Sequence, residues 1–332
     1  MATGGSKLAV GAAIGGNALV MVAKFVAFGF TGSGAMLSEA IHSVADLLNQ
    51  ILLYIGLVRS DRVADHAFEY GYGAERYVWA LMSAVGIFFL GCGVTIYHGI
   101  TSLLNPEHQV QQVGWAIGVL ILSFVIEFFV LFLAVRTVYR EAGDRPFFEF
   151  LWGEADPSAV AVILEDSAAC IGVLVAMIAI GLTSWTGHQY WDAIGTLGIG
   201  VLLGGVASWL VLRNRQLLVG PSIPPHIRAQ IQKILEDCPA IEEVVDMRTE
   251  MMDSETYRIK ADIKFDGAVL AEKLEPKLKR AYPHIQSYED FRRFAIYYAD
   301  QVLEVLGDEI DAIEHKIQTD VPKARLLDLE AD

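Results

Sequence analysis

The chain has 332 residues, 54% of them hydrophobic, and a mean hydropathy of +0.41. A soluble globule rarely averages so apolar, and a formal net charge of −15 excludes binding of nucleic acid through a broad basic face. Three widely spaced cysteines, Cys92, Cys170 and Cys238, form neither a CxxC pair nor a disulfide framework.

The first stretch, MATGGSKLAVGAAIGGNALVMVAKFVAFGF, has Lys7 and then an apolar run to Phe30. That run is longer than a signal-peptide core and reads as a membrane helix, with no Arg- and Ser-rich transit segment. Apolar windows of spanning length follow in order: 8–30, 35–58, 79–103, 113–136, 158–183 and 192–212. Six transmembrane helices are therefore expected. They are separated by TGSG, RSDRVADHAFEYGYGAER, NPEHQVQQ, REAGDRPFFEFLWGEADPS and TSWTGHQYWD, all rich in turn formers or polar residues. The breaks after helices one, three and five contain no Lys or Arg. Arg59, Arg62, Arg76, Arg136, Arg140, Arg145, Arg213 and Arg215 all fall on the other side. Basic residues mark the cytoplasmic side, so the N- and C-termini are both expected to be cytoplasmic.

Composition changes after Gly220. PSIPPHIRAQ is a proline-marked junction, and beyond it acids outnumber bases. The expected division is a transport domain over 1–215 and a cytoplasmic α+β domain over 216–332. PHIRAQIQKILEDCPA, AVLAEKLEPKLKRAY and SYEDFRRFAIYYADQVLEVLGDEIDAIEHKI read as helices, the last long and amphipathic enough to serve a partner subunit. IEEVVDMRTEMM and TYRIKADIKFDG read as strands, the second with alternating Tyr257, Ile259, Ala261, Ile263 and Phe265. VPKARLLDLEAD is a candidate final strand.

Charge inside hydrocarbon costs about 2.5–3.5 kcal/mol per central residue on insertion scales, so each ionisable group in a span needs a reason. The inventory is Lys24, Glu39, His42, Asp46, Glu127, Glu165 and Asp166; His98 and Asp192 lie near helix ends and are expected to be wet. His42 and Asp46 are four residues apart, hence on one helical face. Imidazole nitrogen with carboxylate oxygen suits Zn²⁺ and other first-row divalent ions. Two ligands do not complete a shell, and helix five offers Glu165 and Asp166. Reckoned at 1.5 Å per residue, Asp46 lies roughly 20 Å and Asp166 roughly 25 Å from the same surface, so the two pairs can meet near mid-membrane. An interhelical hydrogen bond without metal is the plainer reading of His42 and Asp46, and the extra acids on helix five tip it towards metal. Glu127, Glu39, Asn49 and Lys24 are the candidates for a proton relay or for support of the ligands. Of these, Lys24 and Glu39 read best as partners of each other. Asn17 and Asn49 read as interhelical hydrogen bonders, and Glu127 as either a relay acid or a packing group. The small residues of GIFFLGCGVTIYHG suggest close helix packing.

TGSGAMLSEAIHSVADLLNQILL and YGYGAERYVWALMSAVGIFFLGCGVTIYHGI resemble helices two and three of the cation diffusion facilitators. The resemblance covers essentially the whole chain. VILEDSAACIGVLVA, WDAIGTLGIGVLLGGVASWLV, GPSIPP and IKADIKFDGAVL point to the branch that contains the mitochondrial zinc transporter of animals. It implies six-helix metal/proton antiporters with a cytoplasmic ferredoxin-like domain, usually homodimeric, and here a bacterial relative in the inner membrane. It also implies a transport site of two HxxxD motifs. Helix two matches with His42 and Asp46. Helix five has Asp166 in register, followed by Gly172, but Val162 stands at the histidine position. Either adjacent Glu165 replaces the imidazole through a local distortion, or three protein ligands and water hold the ion. Loss of one nitrogen opens the site to Mn²⁺, Fe²⁺ or Co²⁺.

The implied activity is export of Zn²⁺, or another divalent metal, against protons by alternating access. Loading requires neutral His42 and ionised carboxylates, so it releases protons. The reference histidine pKa near 6.5 suits that exchange. The metal is substrate, and no prosthetic group is expected. The soluble domain has His226, His284 and His315 without close pairing, so no strong regulatory site is expected there; Met247, Met251 and Met252 read as core or strand-end residues. The chain is not expected to be an enzyme: no GxxxxGK or HExxH pattern occurs. A membrane metalloenzyme and a metal sensor remain the rival classes.

Overall fold

The computed structural model describes residues 4–104, 113–143, 145–153, 157–253 and 255–332, so the break NPEHQVQQ lies outside the described residues. The chain divides into two compact units, Met1–Val219 and Gly220–Asp332.

The first unit is helical: α1 (Gly4–Thr31), α2 (Gly34–Ser60), α3 (Glu75–Leu104), α4 (Val113–Ala142), α5 (Phe147–Gly153), α6 (Pro157–Thr186) and α7 (Tyr190–Val219). Five of them, α2, α3, α4, α6 and α7, are long and apolar enough to cross a bilayer. In α1 the described apolar stretch is Asn17–Thr31, shorter than a full span. The short α5 lies within a segment read as a polar break; Phe150 and Leu151 pack on Val138 and Val160 and explain its order.

Gly32, at φ 65, ends α1 in the left-handed region, and its N–H donates to Phe28 O at 2.8 Å. Ser33 then caps α2: its Oγ accepts from Met36 N at 3.2 Å. The core of the unit joins Ala27, Met36, Leu120, Val173, Ile180, Ile199 and Leu203, drawn from α1, α2, α4, α6 and α7. Phe89, Phe129, Ile178 and Val201 face outward, as lipid contact demands.

The small residues of α3 do mediate close packing, against α7. A side chain at Gly99 would meet Leu197, and one at Gly200 would sit 2.7 Å from Ile96 Cγ1. A side chain at Gly204 would sit 2.8 Å from Cys92 Sγ. Such seams let helix backbones approach where no hydrophobic force drives association. Inside the seam, Ile87–Val94 winds as a π-helix, which the apolar window did not betray.

The second unit contains α8 (Pro225–Glu236), β1 (Ile241–Met251), β2 (Tyr257–Phe265), α9 (Gly267–Lys273), α10 (Glu275–Ala281), α11 (Tyr288–Asp320) and β3 (Ala324–Ala331). The sheet order is β1-β2-β3, with β2 antiparallel to β1 and parallel to β3. The alternation in β2 is real: Tyr257, Ile259, Ala261 and Ile263 are buried, and Phe265 half so. They pack on Ile231, Leu235, Ile313 and Ile317. Met247 is a core residue here. The helix expected over AVLAEKLEPKLKRAY breaks at Leu274, because Pro276 fits only the first turn of a new helix. A capping box starts α11: Ser287 Oγ accepts from Asp290 N at 3.2 Å, and Ser287 N donates to the Asp290 carboxylate at 3.1 Å.

The glycine seam predicts a contrast. Nothing lies within 4 Å of a side chain built at Gly205. Gly205→Ala should hold or raise the melting temperature of the purified protein, since alanine favours helix over glycine by up to about 1 kcal/mol. Gly200→Ala should lower it, since an overpacked contact costs roughly 1–3 kcal/mol of stability. Equal melting temperatures would remove the seam as a stabilising contact.

Candidate metal site

The spacing in α2 places His42, Asp46 and Asn49 within two turns of one helix. His42 is buried, and its Nε2 lies 3.5 Å from Asp46 Oδ2. Neither imidazole nitrogen has a hydrogen-bond partner among the described residues. Burying an unpartnered polar atom costs about 1–3 kcal/mol, so such atoms are rare in native interiors and each one asks for an explanation.

Helix α6 packs on α2 and brings Glu165 and Asp166. Asp46 lies within electrostatic reach of both. The two acids differ in their surroundings, as their separation of about 100° around the helix requires. Asp166 Oδ2 is buried with no hydrogen-bond partner. Glu165 instead accepts a hydrogen bond from Asn49 Nδ2, and Asn49 Oδ1 accepts from Ser83 Oγ at 2.7 Å. Asn49 is thus the interhelical hydrogen bonder its sequence context suggested, joining α2, α3 and α6. Among the described residues no three His, Cys, Asp or Glu side chains already form a cage for an ion. The donors are of the right chemistry and on facing helices, with unpartnered atoms on His42 and Asp166.

A cavity of about 370 Å³ lies along α2 beside this cluster, with His42, Asp46 and Asp166 outside its lining. Asn49 and Glu165 line it, followed by Leu53, Tyr54 and Leu57 towards the end of α2 that carries Arg59. Arg76, at the start of α3, and Arg213, late in α7, line it too. The cavity therefore belongs to the half of the unit that carries the arginines.

Lys24 and Glu39 are partners, as their residue types suggested, and Glu127 joins them. Lys24 Nζ lies 3.0 Å from Glu39 Oε2 and 2.9 Å from Glu127 Oε1. The triad ties α1, α2 and α4.

Asp192 corrects an expectation. It is not wet: it is buried, and its carboxylate accepts from Ser33 Oγ at 2.5 Å, Gly34 N at 2.5 Å and Ala35 N at 3.3 Å. A carboxylate from α7 thus sits at the N-terminus of α2, where free N–H groups and the helix dipole favour an anion. Gly34 permits it, because a side chain there would meet Thr196 Oγ1 at 2.9 Å and Asp192 Oδ2 at 3.2 Å. Ser33 was readable as a helix cap. Asp192 was not, because its partners are about 158 residues earlier in the chain.

Residues 10–219 match the family described as the cation efflux transmembrane domain. The chain belongs to the cation efflux family. The resemblance carried by helices two and three is borne out, and the family is one of transporters. The chain is 35% identical over 321 residues to a mitochondrial proton-coupled zinc antiporter of Xenopus laevis, covering 95% of this chain and 57% of that protein. The human protein of that name is 34% identical, with 95% and 56% covered. A metal tolerance protein of Arabidopsis thaliana is 34% identical over 338 residues, with 98% and 73% covered. The chain thus spans about half the length of the animal relatives it matches.

Asp192→Ala should leave three donors at the start of α2 without their acceptor and lower the melting temperature, at a cost of about 1–2 kcal/mol by analogy with lost helix caps. An unchanged melting temperature would show that α2 does not depend on α7 for its cap.

Proposed function

We propose that this chain exports a divalent transition metal, Zn²⁺ first among them, from the cytoplasm in exchange for protons by alternating access. The observation that carries the reading is the pair of buried, unpartnered acceptors on His42 and Asp166, on facing helices, with Asp46 beside them and a cavity running to the arginine-bearing half. Buried acceptors on imidazole and carboxylate are what a first-row divalent ion takes up. Relatives named as proton-coupled zinc antiporters support the choice of cargo and of counter-ion.

In this reading α1 completes six spans, both termini are cytoplasmic, and the cell inner membrane is the setting. The cavity is then the cytoplasmic approach, and the structure corresponds to the inward-open state. His42, Asp46 and Asp166 bind the ion, and Glu165 joins them by exchanging its Asn49 hydrogen bond for the metal. Neutral imidazole and ionised carboxylates are the binding forms, so loading releases protons, and protons arriving from the far side release the ion. The second unit is a ferredoxin-like domain that pairs with a second copy. Exposed Ile296 and Leu303 lie on one side of α11, seven residues apart, and are candidates for that contact. Mn²⁺, Fe²⁺ or Co²⁺ is the alternative cargo, because Val162 supplies no second imidazole.

Reconstitution in liposomes with an imposed pH gradient tests the reading. Zn²⁺ flux should follow the gradient and fall at least about 10-fold in Asp46→Ala and Asp166→Ala, the lower range seen when metal-site support is lost. Flux independent of the gradient would remove the proton coupling, and flux unchanged in both variants would remove Asp46 and Asp166 from the path of the ion. Glu165→Gln should match those variants. Flux at the native level in Glu165→Gln would leave three protein ligands and water.

A further inference from the structure

Three buried ionisable groups are left over from the proposed metal site: Lys24 of α1, Glu39 of α2 and Glu127 of α4. Lys24 and Glu39 are fully buried, and the Glu127 side chain is 16% exposed. Each carboxylate gives one oxygen to Lys24 Nζ, at 3.0 and 2.9 Å. The other oxygen of each, Glu39 Oε1 and Glu127 Oε2, is buried and has no hydrogen-bond partner among the described residues. Two carboxylates thus converge on one point with spare acceptor capacity, and an ammonium fills that point.

The cluster adjoins the cargo site. Glu39 precedes His42 by three residues, so the two share a face of α2. Its Oε1 rests on α6: a side chain at Gly172 would come within 2.6 Å of it, and Gly172 follows Asp166 on that helix. An ion at the His42 site is therefore close to a second, acidic pair that has the oxygen chemistry to take it.

We infer that Lys24 is a specificity-determining residue of the transport reaction: a tethered cation that occupies the Glu39–Glu127 pair and denies it to the metal. This rests on the metal-site reading of His42, Asp46 and Asp166. Lysine suits the task. Its ammonium is a compact point charge with three donors, it is covalently held, and it neutralises one of the two carboxylates. Without it two carboxylates would face each other in a medium of low dielectric, an arrangement that a divalent ion relieves. The tether limits the chain to one load, and it prevents the cargo from stalling one turn beyond its site.

The test is equilibrium dialysis of the full-length purified protein with Zn²⁺ alone and with Mn²⁺ alone. The native chain and Lys24→Arg, which keeps the charge, should bind about one ion per chain, and Lys24→Gln about two, because the freed pair binds oxygen-seeking ions. In Lys24→Gln the extra ion should survive Asp166→Ala and disappear with Glu127→Gln. A purely structural staple would change stability and leave the stoichiometry alone. Lys24→Gln that still binds as the native chain does overturns the inference and leaves the metal site standing. A native stoichiometry insensitive to Asp166→Ala removes the metal-site reading, and the inference with it. If Lys24→Gln does not survive purification without metal, it is prepared in Mn²⁺: a melting temperature restored towards native by the ion supports the inference, and a chain that stays unfolded with it overturns it.

Discussion

Charge and unpaired polarity are costly in hydrocarbon, and the polar residues of the membrane unit are arranged around that constraint. Most are matched. Lys24 holds Glu39 and Glu127, Asp192 holds the start of α2, and Asn49 links Glu165 to Ser83. His42 and Asp166, like the second oxygens of Glu39 and Glu127, keep buried acceptor atoms with no hydrogen-bond partner among the described residues.

The matched groups also fix the asymmetry of the unit. At one end of α2 the Asp192 carboxylate binds two backbone N–H groups and Ser33, and Gly34 lets α7 come close. Towards the other end the same helix borders a cavity of about 370 Å³. A helix clamped at one end and beside open space at the other suits a unit that exposes a central site to one side at a time.

Much of this was legible in the sequence, for identifiable reasons. Long apolar windows located five of the helices, because spanning length is a strong constraint, but missed their bounds by up to seven residues where the helix runs on past the apolar stretch, as at Val219. The i,i+4 pair of His42 and Asp46 and the Lys24–Glu39 pairing followed from charge economy. Period-two alternation gave β2. What was not legible depends on contacts distant in sequence. The Asp192 cap joins residues about 158 apart, and the Glu127 partner of Lys24 is 103 residues away. The π-helix within α3 includes Gly91 and Cys92, which lie against Leu203 and Gly204 of α7, and an apolar window is blind to it. The break at Leu274 was open to reading from Pro276, since proline inside a helical pattern marks a new start.

X-ray absorption at the zinc edge on the purified, zinc-loaded protein, native and His42→Ala, shows directly whether His42 holds the metal. The native protein should show a low-coordinate shell of nitrogen and oxygen near 2.0–2.1 Å with one imidazole, whose signal from the more distant ring atoms vanishes in His42→Ala. A sulfur shell near 2.3 Å, or a spectrum that His42→Ala leaves unchanged, would place the bound metal elsewhere and contradict the account.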